Sequence, residues 1–219
     1  MPQNNPVRPL LVRWKTPRII EPRVTVSILT ETNRSWQRKD MEEFSDINGL
    51  ATHISRNGFR RIGVDGTDGV GKTTLAAALS ELLGAPAINL DSHLVKNQGC
   101  FIEHLDYAGL KEEIDESDRF IVEGVCLLQV LQRIGTNVDA FVYVKRRHLG
   151  LWADERELSV EGDIETFIQG EIETARLVNK IEGLNEKVEG LGLSEEIIRY
   201  HAEFKPQEKA NAIYWRQSS

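Results

Sequence analysis

The sequence predicts a three-layer α/β fold, with a parallel sheet covered by helices on both faces. From Phe59 onward, short apolar runs alternate with helix-patterned stretches, the order that right-handed crossovers between parallel strands require. A glycine-rich octet joins the first of these runs to the first of these helices. The length of 219 residues, 40% of them hydrophobic, suits one domain with a full core and leaves little room for a second.

Residues 1–45 read as a basic N-terminal extension. Arg8, Arg13, Lys15, Arg18, Arg23, Arg34, Arg38 and Lys39 are opposed up to Asp40 only by Glu21, Glu31 and Asp40, although the whole chain carries a formal charge of -7. That overall acidity argues against a nucleic-acid binder working through bulk charge, and the segment is expected to be a solvated or partner-facing arm. "VTVSILT" (Val24 to Thr30) is β-branched enough for a strand and pairs naturally with "LLVRW" (Leu10 to Trp14) as a small hairpin outside the core.

The main domain is expected over residues 46–219. "DINGLATHISRNG" spaces Ile47, Leu50, Ala51 and Ile54 on one helical face and stops at Asn57-Gly58. "FRRIGVD" reads as a strand, "GKTTLAAALSELLG" as a helix closed by Gly84, and "APAINLD" as a strand ending at Asp91. "LDYAGLKEEI" is expected to be helical, "RFIVEG" a buried strand, "VCLLQVLQRIG" a helix and "VDAFVYVKR" another strand. Beyond Arg147 the pattern turns to charged helix, the place for a mobile lid around residues 146–185. Within it "DIETFIQGEIETARLVNKIEGL" keeps Ile164, Phe167, Ile168, Ile172, Ala175 and Leu177 to one stripe. "SEEIIRYHAEF" offers Ser194 as an N-cap, and "ANAIYW" closes the domain as a short strand.

Gly66 to Thr73, "GTDGVGKT", satisfies G-x-x-x-x-G-K-[ST] after a strand and before a helix. Glycines at Gly66, Gly69 and Gly71 let successive N–H groups approach phosphate oxygens, and the helix dipole adds to the field. Lys72 can reach the terminal phosphates, and the Thr73 hydroxyl can face magnesium. Gly66, Thr67, Asp68, Gly69, Val70, Gly71, Lys72, Thr73 and Thr74 are therefore expected to bind ATP with Mg2+. Glu123, ending "RFIVEG" at the carboxyl edge of the sheet, is placed to support the metal. Asp91, at the same edge, can take a proton from an attacking hydroxyl or cap the following turn. Of the cations in "KRRHLGLWADERE", Arg147 is assigned to the developing phosphoryl charge.

Cys100 and Cys126 have neither metal-ligand nor disulfide spacing and read as reduced thiols. With no apolar run near the roughly 18 residues of a membrane span and no signal-peptide pattern, the chain is expected to be cytoplasmic. A homo-oligomer is compatible with the sequence.

The order of these motifs resembles the uridine kinase branch of the P-loop kinases, with phosphoribulokinase and pantothenate kinase as relatives. "GVDGTDGVGKTTLA", "INLDSH", "HLDYAGL", "FIVEGVCLL" and "KPQEKANAIYW" are each similar to a segment of that family, over Phe59 to Trp215. The resemblance implies a kinase with a helical lid, transferring the γ-phosphoryl group of ATP to a hydroxyl of a small metabolite, a nucleoside first among them. It implies Lys72 and Thr73 for phosphate and magnesium, Asp91 as acceptor-side base and Glu123 behind the metal. The chain departs from the family at Ser92-His93, where a second acid is usual, and at Asn211, which stands for an acid. The thymidylate kinase loop is similar too, but that family's Asp-Arg-Tyr element is missing. The other reading is an ATP-binding regulatory module whose basic arm engages a partner.

Overall fold

Strand β2 (Arg61–Gly66) lies in the middle of the sheet, buried from Ile62 to Gly66 and paired on both edges. The computed structural model describes residues 41–95, 100–160, 162–183 and 188–217, all within the compact unit that begins at Arg38. The hairpin expected between Leu10–Trp14 and Val24–Thr30 lies outside the described residues. On one side of β2 stand β4 (Phe120–Glu123) and then β3 (Ala87–Asn89); on the other stand β5 (Ala140–His148), β7 (Ala212–Gln217) and β1 (Glu42–Phe44). All these pairings are parallel, and only the two-residue β6 (Leu151–Trp152) runs antiparallel, against β5.

Helices cover both faces, as expected for three layers. Ile62 and Val64 of β2, with Val142 and Val144 of β5, face α1 (Ile47–Arg56) and α2 (Lys72–Leu83). The alternate residues Phe141 and Tyr143 face α3 (Tyr107–Asp115), α4 (Leu127–Ile134) and α7 (Leu193–Phe204). Space at Gly63 on this second face is tight, since a Cβ there would meet Leu127 at 3.1 Å and Phe141 at 3.2 Å. Asp46 caps α1 by accepting from Gly49 N at 2.7 Å. His201 of α7 is buried and neutral: its Nδ1 donates to the Ile197 carbonyl at 2.7 Å and its Nε2 accepts from the Tyr143 hydroxyl at 2.7 Å. Burial drives its pKa down to about 4.

The structure corrects several expectations. The strand through "APAINLD" stops at Asn89, whose side chain accepts from Asp91 N at 2.7 Å and turns the chain into a 3₁₀ turn over Leu90–His93. Asp91 therefore sits on a turn rather than at a strand end. Ser194 is not the cap of α7; Gly192, at φ +56°, holds that position without a side-chain hydrogen bond. The charged segment after β5 begins with a hairpin into β6 and the short α5 (Glu155–Leu158) before the long α6 (Ile164–Ile181). In α6 only Ile168 and Ile172 of the expected stripe are fully buried, while Leu177 is exposed.

The short α8 (Pro206–Lys209) leads into β7 through Asn211. Asn211 N donates to the Phe141 carbonyl at 2.8 Å, and Asn211 Oδ1 accepts from Phe141 N at 2.7 Å. One residue thus satisfies both backbone groups of a core residue. Asn211→Ala is expected to lower stability by about 1–3 kcal/mol in urea unfolding, because the Phe141 N–H loses its acceptor. An unchanged midpoint would show that the side-chain bond contributes nothing.

Candidate active site at the carboxyl edge of the sheet

The loop between β2 and α2 ends at Gly71, in the left-handed region with φ +99°, where an added Cβ would lie 2.6 Å from Arg216 Nη1. No side chain caps the first turn of α2, and Gly71, Lys72, Thr73 and Thr74 line a cleft of about 580 Å³. The Lys72 ammonium folds back over the loop and donates to the Thr67 carbonyl at 2.7 Å. A helix N-terminus without a side-chain cap and with an ammonium group beside it is an arrangement that can receive an anion. This is a P-loop.

On the opposite wall, Glu123 stands beside Val64 in the β2–β4 register and accepts from the Thr73 hydroxyl at 2.9 Å. It is 2% exposed. Burial raises its pKa, and the nearby Asp91 adds to the rise, against the opposing pull of the Thr73 hydrogen bond and of Lys72. Gly124 follows because a Cβ there would collide with Leu90 at 2.5 Å. The Thr73 hydroxyl and Glu123 carboxylate together present hard oxygen donors that fit magnesium. Asp91, exposed on its 3₁₀ turn, lines the same cleft with Leu94, Phe101 and Leu193.

Among the residues singled out in the sequence, Asp68, Gly69, Gly71, Lys72, Thr73, Thr74, Asp91 and Glu123 come together around this cleft. Gly66, Thr67 and Val70 support the P-loop from behind: a Cβ at Gly66 would meet Val144 O at 2.8 Å, and Val70 is 1% exposed. Arg147 is not at the cleft; its guanidinium stacks on Trp215, 4.5 Å from the ring centroid.

Two functional features were missed. Arg216 of β7 lines the cleft, beyond the point where the apolar part of "AIYW" suggested the strand had ended. Asp65, the last residue before the octet, is fully buried, accepts from Gly66 N at 2.7 Å through Oδ1, and accepts from the Tyr200 hydroxyl through Oδ2. Tyr200 in turn accepts from Leu128 N at 3.2 Å, so β2, α4 and α7 meet at one hydroxyl. A charged residue inside an apolar strand was the available signal.

No family model matches the sequence, and no curated protein does. Solved structures that resemble it include a shikimate kinase from Bacteroides thetaiotaomicron, 16% identical over 71% of this chain and 85% of that one, with a TM-score of 0.33. A gluconokinase from Sinorhizobium meliloti 1021 is 19% identical over 69% of this chain and 93% of that one, with a TM-score of 0.28. Likenesses this distant say nothing about the reaction.

Burial pushes the Asp65 pKa from 3.8 up to about 7, against the opposing hydrogen bonds from Tyr200 and Gly66 and the charge of Lys72. Between those two values the folded state holds a proton that the unfolded chain has released, so stability falls as pH rises through that window. Asp65→Asn is expected to remove this slope, on the order of 4 kcal/mol in total, from unfolding free energies measured between pH 4 and 7. The same slope in the variant would assign it to other groups.

Proposed function

We propose that the protein is an ATP-dependent kinase that transfers the γ-phosphoryl group to a hydroxyl of a small metabolite, with nucleosides the first acceptors to test. The observation that carries the reading is the meeting of the P-loop with two carboxylates of different surroundings in one cleft: Glu123 buried and bonded to Thr73, Asp91 exposed.

The geometry supports the following roles. The uncapped N–H groups of the first turn of α2 and the loop amides hold the phosphate tail. Lys72, now on the Thr67 carbonyl, is close enough to exchange that partner for a phosphate oxygen, trading a neutral acceptor for a charged one. Thr73 and Glu123 would hold magnesium, which supplies charge neutralisation between the β- and γ-phosphates. Asp91 accepts the proton of the attacking hydroxyl, and its exposure on the 3₁₀ turn leaves the carboxylate reachable from the cleft. Leu94, Phe101 and Leu193 give the acceptor side an apolar wall that excludes water from the phosphoryl group.

The test is transfer of labelled phosphate from ATP to a panel of nucleosides, sugars and vitamins. Asp91→Asn is expected to lower kcat by about 10²–10⁴-fold with the Kd for ATP unchanged. Lys72→Ala is expected to weaken ATP binding itself. Absence of transfer to every acceptor class, or full activity in Asp91→Asn, would overturn the assignment.

A further inference from the structure

β5 and β7 run side by side in parallel register, with Val144 opposite Tyr214 and Arg146 opposite Arg216. Register partners on adjacent strands project to the same face, so the two arginines form one row. The row before it on the same face, Val144 with Tyr214, reaches the start of the P-loop, since Val144 is also the register partner of Gly66. Arg216 reaches the far end of the loop: its Nη1 lies where a Cβ of Gly71 would be and makes a long 3.5 Å contact to the Gly69 carbonyl. Among the described residues no carboxylate lies within ion-pair distance of Arg216.

Arg146 is tied to the near end. Its Nη2 donates to Asp154 Oδ1 at 2.7 Å, and Asp154 Oδ2 accepts from the Thr67 hydroxyl at 3.3 Å. The Thr67 carbonyl is the acceptor of Lys72. Asp154 itself is only 5% exposed, so the fold has committed a buried acid to this junction. Like charges in direct register destabilise a sheet unless an anion relieves them, and one carboxylate for two guanidinium groups leaves room for another.

We propose that Arg146 and Arg216 bracket the phosphate tail of the donor nucleotide from the ends of β5 and β7, and that Asp154 is the positioning residue that keeps Arg146 at the loop. The inference rests on the reading of the cleft as a triphosphate site. It places the extra cations on the rigid sheet rather than on the helical segment that follows.

Calorimetric titration of the full chain with Mg·ATP tests it. Arg216→Gln and Arg146→Gln are each expected to raise Kd by about tenfold or more and to flatten its dependence on salt. Asp154→Ala should match Arg146→Gln, with the double variant no weaker than either. Should Asp154→Ala fail to fold, Thr67→Val breaks the same bridge, lowering affinity in the wild-type background and not in Arg146→Gln. Arg133→Gln, on the face of α4 against Tyr107, controls for loss of charge alone. Wild-type binding of Mg·ATP with unchanged affinity in both arginine variants would overturn this inference and leave the kinase reading standing. Additive effects of Asp154 and Arg146 would remove the positioning role, and a wild-type protein without nucleotide affinity would remove both readings.

Discussion

The first turn of α2 has to stay without a protein partner, and much of the domain is arranged around that requirement. Open helix N-termini are ordinarily closed by a side chain, because unpaired N–H groups away from water are costly. Here Gly71 holds the cap position and has nothing to offer. The surroundings then keep other protein groups at the right distance: Thr73 turns its hydroxyl to Glu123, and Lys72 lies on a carbonyl of the loop. Thr73 and Glu123 thus meet on the wall of the cleft, and Lys72 is held by the loop itself.

Helix α7 is the second organising element. Near its start Glu196 accepts from Phe101 N at 2.8 Å and Ile102 N at 3.0 Å, fixing a segment that has no strand to pair with. One turn further on, Arg199 binds Glu195 at 2.9 Å and both oxygens of Glu165 on α6, so the two helices are linked by a forked ion pair. Tyr200 then reaches the buried carboxylate under the P-loop. The Phe101–Ile102 segment, the long helix α6 and the residue beneath the P-loop are thereby attached to one helix through Glu196, Arg199 and Tyr200.

Much of this was readable from the chain. Buried parallel strands are continuous apolar runs, so "RFIVEG" and "FRRIGVD" stood out, and parallel order put their last residues at one edge. That logic located Glu123 and the loop. It misplaced Asp91 by treating "AINLD" as strand to its end, because a side-chain cap at Asn89 competes with the ladder and sequence periodicity does not register it. β1 escaped notice because three residues, two of them glutamates, look nothing like a strand until β7 supplies the other half of the ladder. Arg147 was picked from Lys145, Arg146, Arg147 and Arg156, and Arg216 went unnoticed, because the face that a strand-end side chain occupies is decided by register, which needs the neighbouring strand.

That dependence gives the amide of Asn211 a reach beyond its own two hydrogen bonds. By clasping Phe141 it sets the phase of the last strand before that strand has made any other contact with β5. A slip of a single position would send alternate side chains to opposite sides of the sheet. Arg216, five residues downstream, would then face away from the cleft beside the P-loop, so a neutral side chain at the foot of a strand decides where a positive charge emerges at its tip.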